Sequence, residues 1–421
     1  MKKNFSKKES LANLSLAIFS IYSSFLILDF FVNISKINYV NKEPDKIEGK
    51  RIIEEDIPLR RKAINNGMKP IIYPEKVREQ FLKKGIYPIG SVPNIRNYYC
   101  NEGYGLVQFK SDQIGLRNPD DVWTRKNLSS SKIILIGDSF TYGACVDEKD
   151  SIAGKLREEF KNKNIINLAM GGNSPYEYLA SINKLAKEIL SFSKKNDFIT
   201  MIVFSNDNIK NVEGLHEKII ESNSIVELNN SSDKPLSLTY DYLKSINQIS
   251  KAVIPKSDSY LINYYKNKYT KNFYQNLKNT VLLKNLRSFL SLRFPSFKVL
   301  FNNVKGYMIG ENYFENSPIA KSIIELENIC NNECKPLVLY IPTSTFWRYS
   351  STEKIFKSNL KEYLSNKKIS YIDSSEVIDP NNRKDYAPKG VHLSKKGYEK
   401  VFLLVKNFID EHDLENKFTL H

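Results

Sequence analysis

Apolar and polar positions alternate in blocks over the larger, C-terminal part of the chain. From residue 131 onward, short runs rich in Ile, Val and aromatic residues are separated by longer stretches with helical periodicity. Because continuous apolar runs are typical of strands that are buried on both faces, the pattern predicts a doubly wound α/β domain with a five-stranded parallel sheet. The predicted strands are KIILIG (132–137), NIINL (164–168), FITMIVF (198–204), PLVLYIP (336–342) and KISYID (368–373).

One long segment interrupts this alternation. About 130 residues separate the third predicted strand from the fourth, far more than a crossover needs, so an insertion over about 208–317 is predicted. Residues 241–300 hold eleven basic residues against two acidic ones, with tyrosines and phenylalanines between them. This composition is typical of additional helices that are exposed to solvent. The alternative is a lid or a docking surface for an anionic polymer or lipid headgroups.

The start of the chain predicts export and a membrane anchor. Residues 1–10 carry four lysines, and residues 11–34 form a mostly apolar run that only Asp29 interrupts, long enough to cross a bilayer as a helix. Lysines before the run predict a cytoplasmic N-terminus and an extracytoplasmic remainder, and a cleaved signal peptide is the alternative. The predicted organisation is a basic N-terminus (1–10), a transmembrane anchor (11–34), a membrane-proximal region (35–130), an α/β domain (131–411) and a tail (412–421).

Within the membrane-proximal region the periodicity is weak. Its charged, Tyr- and Pro-containing sequence predicts a linker followed by an irregular, partly β segment, and YGLVQFKSDQIGLRN (104–118) predicts a hairpin.

Charge and cysteine content narrow the class of protein. The formal net charge is +16, from 63 Lys and Arg against 47 Asp and Glu, but no zinc-ligand spacing or RNA-binding signature accompanies it, which disfavours nucleic acid as a partner. The cysteines are Cys100, Cys145, Cys330 and Cys334, an even number that an exported chain could oxidise. Their pairing stays open: Cys330 and Cys334 could bridge a helix end, and Cys145 could lie near the functional site.

Chemically useful side chains follow four of the five predicted strands. Ser139 in GDSFTYG follows the first strand, and the glycine pair of NLAMGGNSP follows the second. Asn206 in FSNDN follows the third strand, and His392 lies between the fifth strand and the last helix. The carboxyl ends of parallel strands meet at one edge of a sheet, so these groups are expected to lie close together. A serine, an imidazole and amide donors can carry out acyl transfer through a covalent intermediate.

These four segments resemble the conserved blocks of the SGNH/GDSL hydrolases. The resemblance covers 131–210 and 335–411, and it implies a flavodoxin-like, three-layer α/β/α domain. Carried over by position, it implies Ser139 as the nucleophile and His392 as the general base.

The same resemblance implies an oxyanion hole. Its donors would be the backbone amide of Ser139, that of Gly172 and the side chain of Asn206, with Gly171 as the alternative glycine.

The sequence departs from the family pattern at one position. Where the family has an aspartate three residues before the histidine, this chain has Lys389, which would weaken His392 as a base if it pointed inward. Three accounts stay open: Asp385 or Asp379 orients the ring, a backbone carbonyl does so, or the protein is slow or inactive. The other histidine that could approach the site is His216.

The function predicted from these features is an exported, membrane-anchored serine esterase or O-acyltransferase. Its substrate would be acyl esters, acetyl above all, of an extracytoplasmic glycan, and neither a cofactor nor a metal is expected. The alternative is a catalytically silent SGNH-fold protein for carbohydrate binding or assembly, which Lys389 favours.

Overall fold

The computed structural model describes residues 55–192, 197–209, 211–251, 314–331, 333–346 and 353–418. The strands are β1 (Lys69–Pro70), β2 (Arg96–Tyr98), β3 (Gln108–Lys110), β4 (Lys132–Gly137), β5 (Asn164–Asn167), β6 (Asp197–Phe204), β7 (Val226–Leu228), β8 (Leu236–Leu238), β9 (Cys334–Ile341) and β10 (Ser370–Asp373).

Helices cover both faces of the central sheet. The described α-helices, whether on the sheet or beside it, are α1 (Ile57–Asn65), α2 (Pro74–Leu82), α3 (Arg125–Leu128), α4 (Ser139–Tyr142), α5 (Ile152–Glu159), α6 (Pro175–Ser181), α7 (Lys187–Leu190), α8 (Leu215–Glu221), α9 (240–251), α10 (Pro318–Cys330), α11 (Glu353–Lys367) and α12 (Lys395–Phe418). A π-helical turn over Ile182–Ala186 joins α6 to α7.

The central sheet has the predicted five parallel strands. Their order is β10-β9-β6-β4-β5, which is the flavodoxin-like order in which the first strand of the domain lies between the second and the third. All five strands predicted from apolar runs are confirmed, and their bounds agree with the prediction to within two residues. The chain reverses its direction of winding at β4, so the crevice expected for function lies at the carboxyl end of that strand.

Burial on both faces explains why these runs are continuous. Every residue of β4 and β6 is buried. Successive side chains of β4 alternate between two cores: Ile134 and Ile136 pack with α6, α10 and α11, whereas Ile133 and Leu135 pack with α5 and α12. The sheet therefore has a separate hydrophobic core on each side.

The region before residue 131 contributes to one of these cores. Ile72, Phe81 and Trp123 lie in the same hydrophobic cluster as Ile134 of β4. The predicted hairpin over 104–118 is wrong: β3 pairs antiparallel with the upstream β2, and the carboxylate of Asp112 accepts the amides of a tight turn that follows β3. The hairpin that forms instead spans 96–110.

Several predicted features lie outside the described residues. The proposed anchor (11–34) and the middle of the insertion (252–313) are among them. The described part of the insertion holds α8, the β7–β8 hairpin and α9. In the described ranges, none of the helices combines the length and the apolar character that spanning a membrane requires.

Candidate active site

Ser139 is the first residue of α4, directly after β4. The Asp138 side chain caps this helix, because its Oδ1 accepts the Phe140 amide at 2.9 Å. Gly137 ends the strand at a point where a Cβ would overlap the Thr141 hydroxyl, so only glycine allows this turn. The sequence GDS therefore serves a sharp strand-to-helix turn that leaves the serine half-buried at the sheet edge.

His392 lies directly against this serine. Its Nε2 is 2.9 Å from the Ser139 Oγ, and its ring centroid is 5.0 Å from that of Phe140. The loop that carries His392 is closed by a hydrogen bond from the Ala387 amide to the His392 carbonyl at 2.8 Å. The two residues that the sequence placed after different strands are thus in hydrogen-bond contact.

The other ring nitrogen of His392 meets a residue that the sequence did not single out. Glu102 Oε1 is 2.8 Å from His392 Nδ1, and Glu102 Oε2 accepts the His392 backbone amide at 3.0 Å. Glu102 is only 6% exposed. An ionised carboxylate can only accept, so Nδ1 is the donor and Nε2 is left to accept the serine proton.

Glu102 lies in the loop between the two strands of the 96–110 hairpin, 290 residues from His392 in sequence. Spacing along the chain gives no signal for such a partner. The available signal was the cysteine pattern: a disulfide joins Cys100, two residues before Glu102, to Cys145, six residues after Ser139. The second disulfide joins Cys330 to Cys334.

Glycine at position 390 makes room for Glu102. A Cβ there would overlap the Glu102 carboxyl group. A Gly390→Ala variant is therefore expected to displace the carboxylate and to lower the rate of any reaction in which His392 accepts the Ser139 proton about 100-fold, since misplacement by about 1 Å can cost that much. Steady-state kinetics measures this effect. The control is the neighbouring Lys389→Ala variant, whose kcat should stay within a factor of two of the wild-type value. Equal rates for Gly390→Ala and the wild type would contradict it.

Lys389 occupies the family's aspartate position, but its side chain points away from the ring. Its Nζ pairs with Glu55 Oε1 at 2.6 Å, and its backbone amide donates to the Glu102 carbonyl at 3.0 Å. The lysine charge is therefore neutralised by Glu55, and the Lys389 backbone helps to hold the Glu102 loop.

The prediction that Asp385 orients His392 is wrong, because the Asp385 carboxylate is bound by another residue. Asp385 is fully buried, and both of its carboxylate oxygens accept from Lys400 Nζ, at 2.7 and 2.8 Å. Lys400 comes from α12, which holds the aspartate on the far side of its own loop. Asp379 is exposed and caps the following turn through the Asn381 amide at 2.9 Å, so it does not contact the ring either.

The two glycines that follow β5, Gly171 and Gly172, differ in their exposure to solvent. Gly171 is buried where a Cβ would overlap the Tyr99 phenol, whereas Gly172 is exposed and has φ +75. Asn173 Nδ2 donates to the Gly137 carbonyl at 3.3 Å, which fixes this turn beside the end of β4. Of the two glycines, Gly172 is the accessible one.

Asn206 lies in the first turn after β6 and is exposed. Within the described part of the chain its side-chain amide has no hydrogen-bond partner, so it is available to a ligand. Phe204, at the end of β6, stacks on Phe140 with ring centroids 4.0 Å apart. This stack joins the end of β6 to the helix that carries Ser139.

Two buried carboxyl groups lie behind the serine. Burial raises the pKa of Asp138 to about 6, and burial, together with the charge of Asp138, raises the pKa of Asp207 well above its usual range. Asp207 Oδ2 accepts the Phe204 amide at 2.8 Å and the Tyr178 hydroxyl at 3.0 Å.

One cluster in the described ranges has the composition of a metal site. It joins Glu102, Cys145 and His392. Cys145 is oxidised in its disulfide and offers no thiolate, so the cluster lacks the sulfur ligand that a metal site of this composition would use. The competing histidine, His216, is on α8 and lies 3.6 Å from Glu217 through its Nδ1.

Comparison with protein-family models finds no match, and no curated protein matches the chain. Among solved structures, the chain is similar to a member of the lipolytic protein G-D-S-L family from Veillonella parvula, with 13% identity, a TM-score of 0.34, and coverage of 65% of this chain and 95% of that one. A GDSL-like lipase from Bacteroides thetaiotaomicron matches with 11% identity and a TM-score of 0.30, covering 67% and 89%.

A lipase from a goat rumen metagenome matches with 13% identity and a TM-score of 0.33, covering 66% of this chain and 97% of that one. The G-D-S-L family named in the first two descriptions is the one that the sequence motifs resemble. At such identities the matches carry no information on substrate or reaction.

Proposed function

We propose that the chain is a serine esterase of the SGNH/GDSL type. In this proposal Ser139 is the nucleophile, His392 is the general base and Glu102 orients the imidazole. The observation that carries the proposal is the continuous hydrogen-bonded chain of hydroxyl, imidazole and carboxylate, with distances of 2.9 Å and 2.8 Å. This order of groups activates a serine for acyl transfer on several unrelated folds.

The geometry supports a two-step reaction. The Ser139 Oγ attacks the ester carbonyl while its proton passes to His392 Nε2, and the imidazolium then gives that proton to the leaving alcohol as the C–O bond breaks. Water then attacks the acyl carbonyl and loses a proton to Nε2, and the imidazolium returns that proton to the Ser139 Oγ as the acyl–Oγ bond breaks and the acid leaves. Throughout, Glu102 accepts the Nδ1 hydrogen and stabilises the imidazolium.

The oxyanion of the tetrahedral intermediate needs donors at the sheet edge. The backbone amides of Ser139 and Gly172 and the side-chain amide of Asn206 are proposed for this role. Support comes from the order of the strands, since β5, β4 and β6 are neighbours and all three donors follow their carboxyl ends.

For substrate and location we propose acyl esters, acetyl above all, of a glycan outside the cytoplasm, with the enzyme anchored by residues 11–34. Support comes from the lysine-flanked apolar run in the sequence and from the pairing of all four cysteines in disulfides, which persist in oxidising compartments. The same acyl-enzyme would act as an O-acyltransferase if a sugar hydroxyl replaced water.

The alternative, a catalytically silent binding or assembly protein, was favoured by Lys389. With the lysine charge paired to Glu55 and a carboxylate supplied by Glu102, that observation no longer favours it.

A fluorophosphonate probe tests the proposed function without knowledge of the natural ester. We expect covalent labelling of the folded wild type on the peptide that contains Ser139, located by mass spectrometry. Labelling should be lost in His392→Ala and kept in His412→Ala, because His412 lies on α12 against Phe408. A folded wild type that takes no label at Ser139 would contradict the proposal.

A further inference from the structure

The loop that carries Glu102 is short and is held at several points. Asn101 Oδ1 accepts the amides of Gly103 and Gly105 at 2.9 and 3.0 Å, and its Nδ2 donates to Asp56 at 3.0 Å. The first two contacts fold the loop on itself, and the third ties it to the segment before α1. They do not tie it to the part of the chain that holds Ser139.

The covalent tie to that part is the Cys100–Cys145 disulfide. Cys100 makes the last ladder contact of the hairpin before the loop, since its carbonyl accepts the Val107 amide at 3.0 Å. Cys145 is buried beyond α4, and its Sγ lies 3.8 Å from His392 Nδ1. The disulfide thus joins the loop that carries Glu102 to the segment that follows Ser139. It also lies beside the His392 ring, which is between these two residues.

We propose that this disulfide is a positioning element of the esterase site, so that ester hydrolysis depends on its oxidation. The inference rests on the proposed function of Ser139, His392 and Glu102. With the bond intact, Glu102 is held on Nδ1 of His392. With the bond broken, the loop keeps only its non-covalent contacts, and misplacement of a catalytic group by about 1 Å is enough to lower a rate 100-fold.

Reduction also changes the chemistry beside the ring. A dithiol reductant supplies two electrons and two protons, the S–S bond breaks, and the reductant closes into its own disulfide while Cys100 and Cys145 become thiols. The Cys145 thiol then lies within reach of Nδ1 and competes with Glu102 for it. A chain made in a reducing compartment would therefore assemble its site only after export.

The second disulfide is a matched control. Cys330 ends α10 and Cys334 begins β9. This bond therefore lies at the amino-terminal ends of the parallel strands, whereas Ser139 lies at their carboxyl ends. Its loss should lower stability without moving Glu102.

The experiment compares the full chain in oxidised and dithiothreitol-reduced form with two double variants, Cys100→Ser/Cys145→Ser and Cys330→Ser/Cys334→Ser. The measurements are kcat and KM for para-nitrophenyl acetate, thermal unfolding, and hydrogen–deuterium exchange of residues 100–107. We expect reduction and the first double variant to lower kcat about 10- to 100-fold with little change in KM, and to increase exchange in the loop. Re-oxidation of the reduced wild type should restore kcat.

The control double variant should unfold at a lower temperature and keep the wild-type kcat. Unchanged kcat in a folded chain without the Cys100–Cys145 bond, or equal losses in both double variants, would overturn the inference. If the oxidised wild type hydrolyses no ester, the proposed function fails, and the exchange data still test whether the Cys100–Cys145 disulfide holds the Glu102 loop. Equal protection of residues 100–107 from hydrogen–deuterium exchange in the oxidised and reduced protein would overturn the inference.

Discussion

A Ser139→Ala variant is expected to hydrolyse para-nitrophenyl acetate at least about 10⁴ times more slowly than the wild type. The reason is that in the proposed reaction the Ser139 Oγ forms the acyl-enzyme, and His392 Nε2 lies 2.9 Å from this atom. The substitution removes one atom from a half-buried residue, so the fold should persist. Steady-state rates, with thermal unfolding as the check on folding, measure the effect.

The matched control is Ser224→Ala, an exposed serine whose Oγ donates to the Val226 carbonyl at 2.7 Å and accepts the Val226 amide at 3.3 Å. It should keep the wild-type rate. A Ser139→Ala rate within tenfold of the wild type would mean that another group is the nucleophile.

A Glu102→Gln variant is expected to lose about 10⁴ in kcat, or about 5 kcal/mol of transition-state stabilisation. Glutamine keeps the shape but replaces the carboxylate with an amide. Its NH₂ group can donate to Nδ1 and favour the tautomer that leaves Nε2 protonated, unable to accept the serine proton. Because Glu102 contacts the ring and not the substrate, KM should change little.

Glu102→Asp separates charge from shape. The shorter side chain keeps the charge but cannot reach Nδ1 from the same loop, so a kcat between those of Glu102→Gln and the wild type is expected. Glu55→Gln, which removes only the half-exposed partner of Lys389, should remain close to the wild type. A Glu102→Gln enzyme with full kcat would show that the imidazole works without this carboxylate.

The sheet could be predicted because its strands are buried on both faces. Each strand is a continuous apolar run, and the helical stretches between the runs fix their parallel direction. Ser139, Gly172, Asn206 and His392 follow from that topology, since each comes after a strand whose carboxyl end lies at one edge. These inferences need only local sequence and the geometry of a parallel sheet.

Glu102 could not be predicted in this way, because its position depends on long-range structure. The hairpin over 96–110 had to form, and the disulfide from Cys100 had to reach Cys145, before its loop met His392. Neither pairing follows from spacing. The region before residue 131 has weak periodicity, and its packing against the sheet is visible only in three dimensions.

Asp385 was a reasonable expectation from proximity in sequence, seven residues before His392. Proximity failed because an oppositely charged group competes for the carboxylate: the amino group of Lys400 on α12 binds both of its oxygens. A buried carboxylate with such a partner cannot turn toward the ring without leaving an unpaired charge.

A comparison of Glu102→Gln with Asp385→Asn decides which carboxylate orients His392. The measurement is kcat for each variant per folded molecule, with thermal unfolding as the check on folding. We expect the kcat of Glu102→Gln to fall about 10⁴-fold, whereas Asp385→Asn should unfold at a lower temperature but keep a kcat close to that of the wild type. The reverse result, a large loss of kcat in folded Asp385→Asn and none in Glu102→Gln, would contradict this expectation.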